Sequence, residues 1–453
     1  MYNKIRHIHL IGIGGIGMSG IAQLLLREGY SVSGSDRVSS DVTKQLEAKG
    51  AKILIGHHAQ NAEGSELVVY SSAIRDENPE LVFAREHKIL TIPRAEMLAE
   101  FCRLKWTLAI AGSHGKTTTT SMVGLCLIEA GLDPTVVVGG RVDNFGGTNA
   151  RLGEGKFLVV EADESDGSFT HIPPSIAVIT NIDREHLDHY DNMRNLRKSF
   201  ESFIHRLPFY GLCVVNGDDP QLKLILPKVK RRILTFGVGP KNDYQILNYT
   251  TNASASLVTA RIGSDKLEFK LKVPGRHNAL NALATIAVAD ELGIARNITL
   301  TALENFEGVQ RRFQKRGVLD GITLIDDYAH HPTEIRATLE AAIEKFPNSR
   351  VHAVFQPHRY SRVHDLFDEF CESFRLVESV SVTPVYAASE PPIDGVSSEL
   401  LVDNMVRIGI KNPVVAFSNR DAVEKTMARC RPGDVVLTLG AGDLVHVYKD
   451  LFS

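Results

Sequence analysis

Two glycine-rich turns, each entered from a short apolar run and left through a helical one, constrain the fold of this chain more than any other feature. Ile8 to Ile11 read as a strand entering Gly12-Ile13-Gly14-Gly15-Ile16-Gly17, and Met18 to Leu26 as the helix that follows. Thr107 to Ala111 read as a strand entering Gly112-Ser113-His114-Gly115-Lys116-Thr117, with a helix from Thr118 to about Ala130. Strand, tight turn and helix in that order open a parallel α/β layer, so the predicted class is α/β.

Similar runs continue to the end of the chain. Ser31 to Ser35, closed by Asp36, and Leu67 to Tyr70 belong with the first turn, and that domain is complete by residue 106. Phe157 to Val160, Ile176 to Thr180 and Cys213 to Asn216 read as buried strands with polar or acidic residues at their carboxyl ends, where open parallel sheets place ligands. His277 to Leu292 is an Ala-rich helical run expected to supply one apolar face. A third unit opens near Gln314, with strands at Leu324 to Asp327, Val351 to Phe355 and Val435 to Leu439, and helices at Thr333 to Phe346 and Val363 to Phe374. The expected domains are 1–106, 107–313 and 314–453, in keeping with 453 residues at roughly 150 per domain.

Composition narrows the function classes. With 54 acids against 51 bases, a formal charge of -3 and 43% hydrophobic residues, the chain is ordinary and globular, and neither nucleic acid nor membrane is an expected partner. No apolar run reaches the roughly 18 residues of a membrane span, and no secretory h-region opens the chain. Five scattered cysteines without a CxxC pair fit a reduced, cytoplasmic setting.

The second turn carries the stronger chemistry. It is shorter than the GxxxxGK[ST] loop but keeps its parts: amides to wrap phosphate oxygens, Lys116 to reach the β- and γ-phosphates, and the Thr117 hydroxyl for Mg²⁺. In the first turn Gly12, Gly14 and Gly17 allow amides to approach a pyrophosphate, and Asp36 is placed to accept ribose hydroxyls; a nucleotide sugar and NAD suit it equally. Two such turns argue for two phosphate-bearing ligands and against a simple dehydrogenase. Glu161-Ala162-Asp163-Glu164-Ser165-Asp166 sets four carboxylates in six residues, a density that a bridging cation relieves. His186, in Thr180 to Asp188, also follows a strand end. Basic residues recur in Arg276-His277-Asn278, Arg311-Arg312 and His358-Arg359-Tyr360-Ser361-Arg362, suited to charge on a transferring phosphoryl group. Adjacent His330 and His331 invite a zinc reading, but neighbouring side chains diverge and no cysteine is near, so zinc is not expected there.

Together these stretches resemble the Mur ligase family over essentially the whole chain. The most specific are Gly12 to Gly20, Gly112 to Thr118, Asn144 to Ala150, Glu161 to Ser168, Gly275 to Ala282, Arg311 to Gln314, Asp326 to Pro332 and Phe355 to Arg362. The resemblance implies three domains: an N-terminal Rossmann-like domain holding the UDP part of the substrate, a central P-loop ATPase-like domain holding ATP on a mostly parallel sheet, and a Rossmann-like C-terminal domain that closes over both. It implies ATP and two Mg²⁺, with Mn²⁺ an admissible substitute, and UDP-N-acetylmuramate and L-alanine as partners of a monomer or weak homodimer.

By the same resemblance Gly112, Ser113, His114, Gly115, Lys116, Thr117 and Thr118 hold the ATP phosphates, Thr117 and Glu164 one Mg²⁺, and His186 a second. Asn278 and Asn281 match positions near the adenosine, Arg312 and Asp327 match nucleotide contacts, and His330, Arg359 and Arg362 belong to the closed site. Several sister ligases carry a carbamylated lysine after the His-containing segment. Here Lys198 to Phe203 offers no aligned lysine, and Glu201 lies nearer that spacing. The alanine-adding branch also lacks that lysine, which leaves the second metal's ligands open.

The implied reaction joins a carboxylate to an amine through an acyl phosphate, with positioning, charge neutralisation and water exclusion as the enzyme's contribution. His330 is a candidate base for the amine, with bound phosphate or the substrate itself as alternatives. Other readings share parts of the pattern: a ligase of the same family that attaches a recycled murein peptide, a non-catalytic nucleotide sensor, and an NAD oxidoreductase that explains only the first turn.

Overall fold

The computed structural model describes residues 5–71 and 73–451, so the expected outer domain ends at 1 and 453 fall outside the described residues. The chain forms two compact units, Met1–Gln245 with Asn281–Ala302, and Ile246–Leu280 with Leu303–Ser453.

In the first unit, β1 (His7–Ile11), β2 (Ser31–Asp36), β3 (Lys52–Ile55), β4 (Leu67–Tyr70) and β5 (Leu90–Pro93) form a parallel sheet in the order β3-β2-β1-β4-β5. Every residue from Ile8 to Ile11 is buried, as a central strand covered on both faces requires. The strand order reverses between β1 and β4, so the Gly12 turn leaves the sheet beside the crevice that such reversals open.

The first unit also holds β6 (Trp106–Ala111), β7 (Thr135–Val142), β8 (Thr148–Arg151), β9 (Phe157–Glu161), β10 (Ile176–Ile179), β11 (Leu212–Asn216) and β12 (Arg232–Gly237), ordered β12-β11-β10-β6-β9-β7-β8. All pair in parallel except the edge strand β8, which returns against β7. β6 lies between β9 and β10, so its carboxyl end, where the Gly112 turn starts, has the acidic run after β9 on one side and the His186 segment after β10 on the other. Phe169 packs 5.1 Å from both Phe200 and Phe203 beneath these loops, and all three rings are fully buried. Each such side chain contributes about 1.5–3 kcal/mol of burial.

β13 (Tyr244–Thr251) starts on β12 at Tyr244 and Gln245 and leads into the second unit. There β14 (Ser256–Ile262) and β15 (Asp265–Leu271) form an antiparallel hairpin. The C-terminal sheet contains β16 (Gln314–Leu319), β17 (Ile322–Asp327), β18 (Val351–Phe355), β19 (Ser379–Val382), β20 (Pro413–Val415) and β21 (Val435–Leu439), ordered β16-β17-β21-β18-β19-β20. Only β16 is antiparallel. Three α/β domains on mostly parallel sheets are thus present, as expected, with antiparallel pairs confined to short hairpin connections.

Two helical expectations need correction. The helix Arg276–Glu291 is buried on nearly every side from Asn281 to Ala289 rather than along one face, which its many alanines permit. The expected helix from Val363 to Phe374 is two short ones, Tyr360–Asp365 and Phe367–Glu372, broken at Leu366 where φ is -126° and ψ 27°. Among the described residues no helix is long and apolar enough to cross a membrane.

Candidate active site

The Gly112 loop of the first unit is held by the segment after β10. Gly112 has φ +127°, and a Cβ there would meet Thr180 Oγ1 at 2.2 Å, so the position requires glycine. The amide of Ser113 donates to Asn181 O (3.1 Å) and that of His114 to Asn181 Oδ1 (2.9 Å), while Asn181 Nδ2 and Thr180 Oγ1 both donate to His114 O. The amide of Asp183 donates to Ser113 Oγ (2.9 Å), and His114 Nε2 lies 2.9 Å from Asp183 Oδ2. Gly115, at φ +82°, caps the helix Lys116–Glu129, and a Cβ on it would meet Asn281 Oδ1 at 2.8 Å. Helix N-terminal amides and a tight glycine turn make an anion cradle.

Lys116 is largely enclosed. It is the first residue of its helix, its side chain is 13% exposed, and Nζ donates to Gly112 O (2.7 Å), Ser113 O (3.2 Å) and both oxygens of Glu164 (3.1 and 2.8 Å). Glu164 is wholly buried. Burial pushes its carboxyl up, Lys116 pulls it down and Asp163 pushes it up again, leaving it at about 7. Burial alone would lower the lysine, but Glu164, Asp163 and Glu161 outweigh it and the ammonium is held more firmly protonated than usual. Burial is the main cause for the acid, while for the lysine the surrounding carboxylates overcome burial.

Thr117 Oγ1 donates to Glu161 Oε1 (3.1 Å), whose other oxygen accepts from the Gly139 amide (2.6 Å); Thr117 and Thr118 are both buried. On the opposite side Glu164, Glu185 and His186 bring one ligand atom each within 4.8 Å of one another. His186 has φ +56°, in the left-handed region that non-glycine residues seldom occupy. The structure therefore brings together Gly112, Ser113, His114, Gly115, Lys116, Thr117, Glu164, His186 and Asn281. Glu161, the first carboxylate of the acidic run, joins them, and so does Glu185, which the sequence did not single out; Glu185 sits beside His186 in a run with Asp183 and Asp188, the signal available for it. Glu201 faces Lys228 at 3.9 Å.

The first turn of the chain is built the same way. Gly12 has φ +79°, the Gly14 amide donates to Asp36 Oδ2 (2.9 Å), and a Cβ on Gly17 would meet Arg94 Nη1 at 2.6 Å. Asp36 is thus tied to the turn itself, and Arg94 is a cation at this turn that sequence reasoning missed.

In the second unit the carboxyl ends of β17 and β18 carry a separate group. Asp327 accepts from the amides of Phe313 and Ala329 (2.7 Å each), and burial, against the pull of Arg312, pushes its carboxyl up to about 6. Arg311 and Arg312 stand 4.9 and 5.2 Å from the Tyr328 ring centroid, and Arg312 Nη1 donates to Glu334 Oε1 (3.3 Å). His330 Nδ1 lies 2.9 Å from Tyr328 O, which takes the Nδ1 proton and leaves the lone pair on Nε2.

His358 Nδ1 faces the Arg362 guanidinium at 3.3 Å and its ring stacks on Tyr386, 5.4 Å away at 9°. Burial, with His330, Arg362 and Arg359 nearby, pushes this imidazole down to about 3 and keeps it neutral. Arg359 has φ +67° and lies 3.9 Å from Glu390. Asn278 donates to Pro274 O (2.6 Å) within this unit, whereas Asn281, one turn later in the same helix, belongs to the first. Tyr328, Glu334, His358 and Tyr386 are neighbours that the expected site did not include.

Comparison with known proteins identifies the family. Residues 7–106 match the catalytic domain model of the Mur ligase family, 110–289 the Mur ligase middle domain, and 311–442 the glutamate ligase domain of Mur ligases. The chain is 50% identical over 447 residues to a UDP-N-acetylmuramate–L-alanine ligase of Anaeromyxobacter sp. (strain Fw109-5), covering 98% of this chain and 97% of that one. It is 50% identical over 453 residues to the protein of the same name from Desulfotalea psychrophila, covering 100% and 98%. A crystal structure of the UDP-N-acetylmuramate–alanine ligase of Thermotoga maritima superposes with a TM-score of 0.84 at 33% identity, covering 99% of this chain and 98% of that one. With half of its residues shared along the full length of such relatives, the chain belongs to the Mur ligase family.

Proposed function

We propose that this chain joins L-alanine to the lactyl carboxylate of UDP-N-acetylmuramate, with ATP as energy source, in the synthesis of peptidoglycan precursors. What carries the reading is the Gly112 loop, with Lys116 seated among buried acids, in a chain half identical to ligases of that name over its whole length. Residues 1–106 take the UDP part, 107–313 take ATP, and 314–453 contribute to the amino-acid and nucleotide sites. The protein works in the cytoplasm as a monomer or weak homodimer, with neither nucleic acid nor membrane as partner.

The donors around Lys116 suit Mg²⁺. Carboxylate and hydroxyl oxygens are the ligands a hard cation takes, and a buried cluster with more acids than bases gains from one. Glu164 and Thr117 would hold one ion and His186 contribute to a second, with Mn²⁺ able to substitute. Bound Mg²⁺ neutralises charge on phosphate oxygens.

The protein's own groups do the rest. The lactyl carboxylate oxygen attacks the γ-phosphorus, the bond from that phosphorus to ADP breaks, and an acyl phosphate forms. With the Ser113 and His114 amides engaged by Asn181, the amides from Gly115 to Thr118 at the helix start hold the phosphates within the Gly112 to Thr118 loop, and Lys116 exchanges Glu164 for a phosphate oxygen. Asn281 and Asn278 face the adenosine, with Arg312 and Asp327 as further nucleotide contacts; Gly12, Gly14, Gly17 and Asp36 hold the UDP moiety. Arg359 and Arg362 balance charge near the amino acid. The amine of alanine loses a proton, for which Nε2 of His330 is the acceptor, and attacks the acyl carbon; the tetrahedral intermediate expels phosphate and leaves the amide. Water is kept from the acyl phosphate throughout.

The test is phosphate release from Mg-ATP and UDP-N-acetylmuramate, with and without L-alanine, glycine or L-serine, with mass detection of the product. Release that needs both partners, and a product heavier by one alanyl unit, is expected. Turnover with a murein peptide but not with alanine would replace this reading by the recycling ligase.

A further inference from the structure

The C-terminal sheet carries a second cluster of metal-ligating side chains, at the end opposite to Asp327 and Phe355. His352 is the second residue of β18, Asp434 directly precedes β21, and Cys430 follows the helix Asn419–Met427. One ligand atom from each lies within 4.8 Å of the others. His352 is 1% exposed, and its Nε2 makes no hydrogen bond although Asp434 Oδ2 is only 3.3 Å away. The other ring nitrogen, Nδ1, is 2.8 Å from Ser379 Oγ; in the tautomer in which that hydroxyl accepts the Nδ1 proton, the Nε2 lone pair faces the cluster.

Asp434 is held in place by Arg350, through Nε (3.1 Å) and Nη2 (2.5 Å), and by the Arg431 amide (2.7 Å). Cys430 Sγ donates to Thr426 O (3.2 Å), and Cys430 alone among the five cysteines is not fully buried. An imidazole nitrogen, a thiolate and a carboxylate are the donor set of a borderline-soft ion and not of Mg²⁺, and three protein ligands leave a fourth tetrahedral position for water. The thiolate and the carboxylate together balance the charge of a divalent ion, and Arg350 orients Asp434 at the rim of the cluster.

We propose that His352, Cys430 and Asp434 bind an ion of the Zn²⁺ class at the amino-terminal edge of the C-terminal sheet. Binding replaces the thiol proton of Cys430: the S–H bond breaks, an S–metal bond forms, and the proton passes to solvent. The ion ties the segment before β21 to β18 and stands apart from the strand ends that carry the ligase chemistry.

The test uses the full chain freed of metal. Zinc chloride is titrated against a chromophoric chelator, and alkylation of Cys430 by iodoacetamide is followed by mass spectrometry. One ion should bind, alkylation of Cys430 should slow by at least about tenfold, and Cys430→Ser or His352→Gln should weaken binding by at least about tenfold. Cobalt in place of zinc should give the unmodified chain a thiolate-to-metal absorption band that Cys430→Ser lacks, a reading that stands even if the His352 variant fails to fold. Equal zinc affinity in the parent chain and Cys430→Ser, or alkylation indifferent to zinc, overturns the proposal.

Discussion

Lys116 Nζ lies 2.8 Å from Oε2 of Glu164, a carboxylate with no exposure to solvent. The lysine that reaches for phosphate is thus also the counter-ion of a buried acid, and its two tasks separate under mutation. Lys116→Met should lower turnover by at least about tenfold and also cost roughly 3 kcal/mol of stability, because it leaves that acid without its cation. Lys116→Met with Glu164→Gln should regain most of the stability and none of the activity. Urea unfolding alongside phosphate-release assays checks this; a single variant as stable as the parent would count against the pairing.

Glu164→Gln alone should raise the Mg²⁺ concentration for half-maximal activity by about tenfold or more, since an amide is a far weaker ligand for a hard cation. A metal titration at saturating ATP reads it directly, and an unchanged midpoint would remove Glu164 from the metal.

Gly112→Ala should destabilise by about 2 kcal/mol or more and abolish nucleotide binding, since strain at φ +127° adds to a Cβ placed 2.2 Å from Thr180 Oγ1. Gly131→Ala is the comparison: φ is +70° there but nothing lies within 4 Å, so only backbone strain of about 1 kcal/mol applies. Equal losses in the two variants would show that the clash relaxes freely.

Asp327 introduces a pH dependence. Its folded value of about 6 lies above the ordinary 3.8, so the folded state holds a proton that the unfolded chain releases between these values. Its contribution is fully present below pH 3.8 and is lost as pH rises through about 6, a change of roughly 3 kcal/mol. Asp327→Asn should flatten that part of the stability profile, measured by urea unfolding from pH 4 to pH 7. A parallel profile would place the titration elsewhere.

Much of this was legible because glycine turns are local. The residues from Gly12 to Gly17 and from Gly112 to Thr117 announce their conformation without help from the rest of the chain, and the strands before them are short apolar runs that can only be buried. What the residues contact at a distance was not legible. That Lys116 is buried follows from Glu164, 48 positions away; that Asp36 serves the Gly14 amide follows from the pairing of β1 with β2. Glu185 and Arg94 were overlooked because a lone charge in a loop or helix carries no periodic signature, and Leu366 broke a helix whose composition is helical on both sides of it.

The two compact units are interleaved along the chain, which crosses from one to the other after Gln245, Leu280 and Ala302. Synthesis from the amino terminus therefore cannot finish the first unit when Gln245 emerges from the ribosome. Asn281, which lies against Gly115, is made 36 residues later, a wait of roughly 2–7 s at ordinary elongation rates. During that interval the phosphate loop lacks one wall, so a nascent chain paused before Asn281 should bind nucleotide poorly.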